Sequence, residues 1–168
     1  EHQVYYDQNS SRWFKRLYHN VNSSTLGDYL VRMRLHNALF SETAYRLEGF
    51  TINEKNKDLA PVVSQLHVQV DTNRPLVTKA ETDDLMATMS FAPIKMMHNG
   101  VIDDGYFAYL HPITGVLAHD IHDENVVHIP ECEDLAIIDP YISVARCGTW
   151  AALKLAETGY PIPPDDQP

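Results

Sequence analysis

The stretch Tyr106–His122, which reads YFAYLHPITGVLAHDIH, carries the clearest structural signal in the chain. Two runs rich in apolar residues flank the four residues Pro112–Gly115. A four-residue loop that ends in glycine is a common connection between antiparallel strands. The stretch therefore predicts a β-hairpin in which Ala108 lies opposite His119.

Short apolar runs on both sides predict that this hairpin belongs to a larger sheet. Val126–Ile129 and Ala136–Ile138 follow the hairpin and predict two more strands. Earlier in the chain, Leu66, Val68 and Val70 alternate with polar residues, which is the pattern of a half-buried strand. We expect an antiparallel sheet of roughly four strands.

The amino-terminal part of the chain has the pattern of two helices. Apolar residues from Trp13 to Val21 recur at spacings of one, three and four, after a helix-capping serine at Ser10 or Ser11. A second apolar face begins after Thr25, or after the serine that precedes it. The pattern predicts an N-terminal helical hairpin.

Two later helices are indicated by the residues at their ends. Thr78, with Glu81 three positions later, forms a capping box that starts a middle helix. Asp139 and Pro140 mark the start of a C-terminal helix, and Gly159 marks its end. Antiparallel strands packed with the N-terminal helical hairpin, the middle helix and the C-terminal helix constitute an α+β fold.

Length and composition are those of one acidic globular domain. The chain has 168 residues, 44% of them apolar, and a formal net charge of −10. We expect a single domain at residues 1–159 and an extended, proline-rich tail at 160–168. No stretch approaches the roughly 18 apolar residues of a membrane helix, and no basic run offers phosphate contacts. We therefore predict neither a membrane span nor a nucleic-acid partner.

The cysteines and the first residue bear on the cellular compartment. Cys132 and Cys147 could form one disulfide or remain as two free thiols. The N-x-S sequons at Asn9 and Asn22, and a chain that starts at Glu1, would fit an exported and processed protein. The sequence decides neither the state of the two cysteines nor the compartment.

Histidines and carboxylates concentrate around the hairpin and suggest a metal site. Imidazole and carboxylate groups are the usual ligands of zinc and non-haem iron. In the expected sheet His119 and His128 are diagonal neighbours that could share an ion, and His67 is a candidate third ligand. Asp120 and His122 form an independent pair on the other face. The alternative is that these are ordinary surface or core histidines.

Aromatic and arginine side chains crowd the first sixteen residues and suggest a partner-binding surface. Trp, Tyr and Arg are the residue types most enriched in interface hot spots. The candidates for partner binding are Tyr5, Tyr6, Arg12, Trp13 and Arg16. The alternative is that the same side chains pack against their own domain.

No motif for nucleotide binding or nucleophilic catalysis is evident. The chain has no G-x-x-x-x-G-K, no G-x-G-x-x-G and no G-x-S-x-G. We therefore expect a non-enzymatic protein-binding or assembly subunit without a cofactor, which engages another protein or a second copy of itself. The alternative is a metal-dependent hydrolase with zinc or iron at the central hairpin.

Overall fold

The chain divides into two compact units. The computed structural model describes residues 2–17, 25–52, 57, 59–98, 101–130 and 134–144. Unit 1 comprises Glu1–Val70 with Ile129–Cys132, and unit 2 comprises Asp71–His128 with Glu133–Pro168. Neither of the two helices that the structure describes is long and apolar enough to cross a membrane.

Unit 1 is built on a four-stranded antiparallel sheet with the strand order β1-β2-β4-β3. Its elements are β1 (His2–Asp7), β2 (Arg12–Leu17), helix α1 (Leu26–Leu39), a 3-10 turn (Ser41–Thr43), β3 (Tyr45–Ile52) and β4 (Leu59–Leu66). Strand β4 has a neighbour on each side, and the side chains of Ala60, Val63 and Ser64 at its centre are at most 1% exposed. The core of unit 1 therefore runs along β4.

The described residues of unit 2 form two antiparallel sheets and one helix, α2 (Lys79–Thr88). The larger sheet has the order β10-β7-β6-β5 and the smaller one pairs β8 with β9. The strands are β5 (Ala92–His98), β6 (Val101–Leu110), β7 (Val116–His119), β8 (Val126–His128), β9 (Leu135–Ile137) and β10 (Tyr141–Val144).

The predicted α+β fold class is wrong, because the described residues form mostly antiparallel sheet with two short helices. The first predicted helix is the strand β2, which pairs with six residues of β1 and five of β4. Aromatic residues such as Trp13 and Phe14 favour a pleated, half-buried surface, and a short apolar run does not fix the period. The predicted helical hairpin therefore does not form, because its first segment pairs with β1 in a β-hairpin and only its second segment, α1, is a helix.

Two further strand predictions are corrected by the pairing of the sheets. The strand expected over Leu66–Val70 lies earlier, since β4 ends at Leu66. Strand β8 does not extend the central hairpin but pairs with β9, while β10 takes the place beside β7.

The start of the predicted C-terminal helix is also wrong, because Tyr141–Val144 forms the strand β10. The remainder of that helix, the tail at 160–168 and the sequon at Asn22 lie outside the described residues. Cys132 and Cys147 lie outside them as well.

Three local predictions are confirmed. Helix α1 begins after Thr25, whose hydroxyl oxygen accepts a hydrogen bond from the Asp28 amide. The capping box of α2 is present, with the Glu81 carboxylate accepting a hydrogen bond from the Thr78 amide at 2.8 Å. The central hairpin has the predicted register, which places Tyr109 opposite Ala118.

Candidate functional site

The segment between β7 and β8 is a tight loop that is anchored at both ends. The amides of Asn125 and Val126 both donate hydrogen bonds to the carbonyl oxygen of His122, at 2.8 and 3.0 Å. At the other end, the Ile121 amide donates to the carbonyl oxygen of Phe107 on β6 at 3.2 Å. The Ile121 side chain is fully buried, so the loop cannot swing away from the sheet without exposing it.

Asp120 stands at the start of this loop with an unusual backbone conformation. Its φ of 65° lies in the left-handed region, which residues other than glycine seldom adopt. Its carboxylate is 57% exposed, with Oδ1 at 3.4 Å from Nε2 of His122. A constrained backbone that presents an accessible carboxylate is a feature common at active sites.

Asn125 closes the loop with its side chain. Its Nδ2 donates to the carbonyl oxygen of Asp120 at 2.8 Å and lies 3.2 Å from Nε2 of His122. Both contacts involve the amide nitrogen, so the amide oxygen is directed away from these two partners. The loop therefore presents a carboxylate oxygen and an oriented amide oxygen.

Asp139 is brought to the same loop by the β8–β9 hairpin. Val126 pairs with Ile137, and the next amide along the chain, that of Ile138, donates to the carbonyl oxygen of Asn125 at 2.9 Å. Asp139 follows directly after this hydrogen bond. Two oxygen-bearing side chains that are distant in the sequence thus stand on neighbouring backbone segments.

The predicted Asp120 and His122 pair is brought together, but within one loop rather than across a sheet face. The second ring nitrogen of His122, Nδ1, lies 3.8 Å from Oδ1 of Asp123 and 3.2 Å from the Glu124 amide nitrogen. The imidazole thus lies between loop groups on both sides and fixes their relative positions.

The predicted pair His119 and His128 lies on strands that are not neighbours in a sheet. The His119 ring stacks on Tyr141, with ring centroids 4.3 Å apart. The His128 side chain is 3% exposed, and its Nε2 lies 3.9 Å from Oε1 of Glu81. In unit 1, Nδ1 of His67 accepts a hydrogen bond from the indole of Trp13.

No group of three or more His, Cys, Asp or Glu residues that could hold a metal ion occurs in the part of the chain that the structure describes. Strand pairing thus does not bring the two histidines of unit 2 together. Zinc or iron binding at these histidines stays a prediction.

The predicted partner-binding side chains lie on the β1–β2 hairpin of unit 1, and most of them make contacts within the sheet. The Tyr6 and Trp13 rings are 4.7 Å apart. Arg12 donates to the Ser64 hydroxyl at 2.7 Å, and Arg16 donates to the carbonyl oxygen of Ile52 at 2.8 Å. Tyr5 is 66% exposed. Their role in partner binding stays a prediction.

Lys15 is a buried cation that the sequence reasoning missed. Its side chain on β2 is only 8% exposed. Its Nζ donates a hydrogen bond to the Tyr45 hydroxyl at 3.3 Å. Buried lysines are rare even when they are paired, so this position is a functional candidate.

A family model described as Serine/Threonine/Tyrosine Kinase found in polyvalent proteins matches residues 1–146. A search of curated proteins and a search of solved structures each gave no significant match.

Asp120, Asn125 and Asp139 correspond in spacing and order to kinase motifs. Protein kinases carry a catalytic loop H-R-D-x-x-x-x-N, followed by D-F-G. Here Asp120 and Asn125 have the D-x-x-x-x-N spacing, and Asp139 follows the next two strands, β8 and β9. The histidine directly precedes Asp120, whereas in H-R-D it stands two residues before the aspartate. Asp139 stands between Ile138 and Pro140, so the Phe-Gly that follows the aspartate in D-F-G is absent. The spacing was therefore a usable signal, although the surrounding residues obscured it.

Proposed function

Because the chain belongs to the family of serine/threonine/tyrosine kinases found in polyvalent proteins, we propose that it transfers the γ-phosphoryl group of ATP to a hydroxyl group of a protein. This corrects the expectation of a non-enzymatic binding subunit, and it replaces the metal-dependent hydrolase as well. The observation that carries the proposal is the hydrogen bond from Ile138 to Asn125, which joins the two halves of the kinase motif.

Asp120 is proposed as the base that takes the proton of the acceptor hydroxyl. Its accessible carboxylate and fixed backbone support this role, which the aspartate of the catalytic loop has in protein kinases. The acceptor oxygen attacks the γ-phosphorus as the bond to the β–γ bridging oxygen breaks. The proton passes to Asp120, and ADP leaves with the bridging oxygen.

Asn125 and Asp139 are proposed to hold the Mg²⁺ ion that accompanies ATP. Magnesium is usually bound by one or two carboxylates together with substrate phosphates and water, so few protein ligands are needed. The orientation of the Asn125 amide, with its nitrogen engaged by Asp120, supports this fit. When bound, the ion would neutralise charge that develops on the phosphates.

Lys15 is proposed as the lysine that contacts the nucleotide phosphates. In protein kinases this lysine lies on a strand of the N-terminal sheet. The burial of Lys15 on β2 supports the assignment, since a desolvated ammonium group interacts more strongly with an anion than an exposed one does.

The protein partner expected from the sequence is proposed to be the acceptor of the phosphoryl group. Residues 71–144, which include the proposed base and metal ligands, contain 13 acidic and three basic residues. A surface with this balance attracts positively charged partners and repels negatively charged ones. We therefore expect acceptor hydroxyls in segments rich in lysine or arginine.

The test is an assay for transfer of labelled γ-phosphate from ATP to a basic and to an acidic acceptor protein, with and without Mg²⁺. We expect Mg²⁺-dependent labelling that favours the basic acceptor. We expect Asp139→Asn to lower the rate by about 100-fold or more, because a ligand of the charge-neutralising ion is lost.

Asp134→Asn is the matched control, since Asp134 is an exposed carboxylate just before β9 on the same hairpin. Thermal melting of each variant checks that it is folded. A folded wild-type chain that labels neither acceptor, or an Asp139→Asn variant as fast as wild type, would overturn the proposal.

A further inference from the structure

Lys15 and Tyr45 lie on the same face of the sheet in unit 1. Lys15 pairs with Val63 of the central strand β4, and Tyr45 pairs with Gln65 of the same strand. Residues two apart on a strand point to the same face, so the two side chains converge above β4. The Lys15 Nζ lies 3.3 Å from the Tyr45 hydroxyl oxygen and 5.2 Å from the centroid of the ring.

Helix α1 holds Tyr45 in place by hydrogen bonds to its backbone and by a contact with its ring. The side-chain amide of Asn37 donates to the carbonyl oxygen of Tyr45 at 2.7 Å and accepts from its amide at 2.8 Å. The ring of His36, which is 2% exposed, packs on the Tyr45 ring with centroids 4.5 Å apart. Two hydrogen bonds and one ring contact thus tie the position of Tyr45 to that of the helix.

The composition of α1 departs from that of the corresponding kinase helix. In protein kinases a glutamate of this helix pairs with the phosphate-binding lysine. Helix α1 contains no glutamate, and its one carboxylate, Asp28, lies in the first turn, where it accepts hydrogen bonds from the amide and hydroxyl of Thr25. One connection between the helix and Lys15 runs through Tyr45.

We propose that Tyr45 is the residue that positions Lys15 for the nucleotide phosphates, and that helix α1 acts on Lys15 through Asn37, His36 and Tyr45. This inference rests on the proposed kinase activity. Lysine has a long flexible stem, and holding its ammonium group in one place before the nucleotide arrives reduces the entropy lost on binding. The phenol oxygen accepts one ammonium proton, and the ring adds a favourable electrostatic contact.

The test compares Tyr45→Phe with wild type in ATP binding and in phosphoryl transfer. Phenylalanine keeps the ring and removes the hydroxyl group, so the sheet should stay folded. We expect the Kd and the KM for ATP to rise by about 10- to 100-fold, which is the effect of losing one hydrogen bond to a charged group. The KM for the acceptor protein should not change, whereas general damage to the fold would alter both. Phe50→Leu is the control, since Phe50 is a half-exposed aromatic residue of the same strand, β3.

A double-mutant cycle separates positioning from a merely structural effect. In a Lys15→Met background, adding Tyr45→Phe should change the Kd for ATP by less than about 2-fold, because the group that Tyr45 positions is gone. Asn37→Ala should raise the Kd in the wild-type background in the same direction as Tyr45→Phe, because it frees Tyr45 from the helix.

Two results would overturn the inference while leaving the proposed function intact. One is an active wild type whose Kd for ATP is unaffected by Tyr45→Phe. The other is an equal effect of Tyr45→Phe with Lys15 and with Met at that position. A wild type that neither binds ATP nor transfers phosphate would instead overturn the proposed function, and this inference with it.

Discussion

At the scale of single residues, the side chain of Asn125 has one structural role and one proposed functional role. Its amide nitrogen holds the backbone of Asp120, whose φ is left-handed, and its amide oxygen is the proposed magnesium ligand. A left-handed aspartate costs about 1 kcal/mol or more relative to an ordinary conformation, and the hydrogen bond from Asn125 helps to offset that cost. Loss of Asn125 should therefore affect both the loop and the metal.

We predict that Asn125→Ala raises the Mg²⁺ concentration needed for half-maximal activity by about 10-fold or more. The variant loses a proposed metal ligand together with the hydrogen bond from Asn125 to the carbonyl oxygen of Asp120. The free energy of unfolding should fall by about 1 kcal/mol for the lost hydrogen bond. A magnesium titration of the transfer rate and a denaturant melt measure the two effects. Asn73→Ala, at an exposed loop asparagine, is the control. An unchanged magnesium dependence would exclude Asn125 as a ligand.

At the residue scale, the sequence predicted a metal pair in this loop, and metal binding there stays a prediction. It singled out Asp120 and His122 as a pair, and the structure brings them within 3.4 Å of each other. It did not single out Asn125, and it used Asp139 only as a helix cap. Their shared place depends on a hydrogen bond between Ile138 and Asn125 that forms only when β8 and β9 pair. No local spacing reveals such a pairing.

At the scale of secondary-structure elements, the capping residues at helix ends predicted the helices better than the spacing of apolar residues did. The caps at Thr25 and Thr78 predicted the starts of both described helices, because a cap depends on neighbouring residues alone. The segment Arg12–Leu17 was mistaken for a helix because six residues fit either period, and its hydrogen bonds go to strands elsewhere in the chain. Only the tertiary pairing resolves that ambiguity.

The capping box of α2 makes a prediction about pH. The pKa of Glu81 lies below its ordinary value, chiefly because the carboxylate accepts a hydrogen bond from the Thr78 amide, then one from the Thr78 hydroxyl, with smaller effects of the charges of His128 and Arg74. A pKa that is lower in the folded state means that the ionised carboxylate stabilises the fold. That contribution is complete above the unfolded-state pKa and disappears as the pH falls through the folded-state value.

We therefore predict that Glu81→Gln lowers the melting temperature at neutral pH, and that its difference from wild type shrinks as the pH falls below the ordinary glutamate pKa of 4.5. Thermal melts of both proteins across that range measure the difference. Asp84→Asn, an exposed position of the same helix, controls for the loss of one negative charge. A difference that stays constant with pH would contradict the capping-box account.

At the scale of the whole molecule, charge is distributed unevenly along the chain. Residues 1–70 contain seven acidic and eight basic residues, whereas residues 71–144 contain 13 acidic and three basic ones. The total charge predicted an acidic protein, but it hid this division. The kinase family was not evident from the sequence, because its motif residues are spread over the chain. In addition, the sequence contains no glycine-rich G-x-G-x-x-G motif.

The central claim, phosphoryl transfer with Asp120 as the base, is tested most directly by the single-turnover rate of Asp120→Asn. Asparagine keeps the shape of the side chain and cannot accept the proton. We predict a fall in rate of about 100- to 10,000-fold, with a Kd for ATP within about 2-fold of wild type, because general-base catalysis acts on the chemical step. Asp123→Asn in the same loop should retain the wild-type rate. An Asp120→Asn variant that transfers phosphate as fast as wild type would contradict the account.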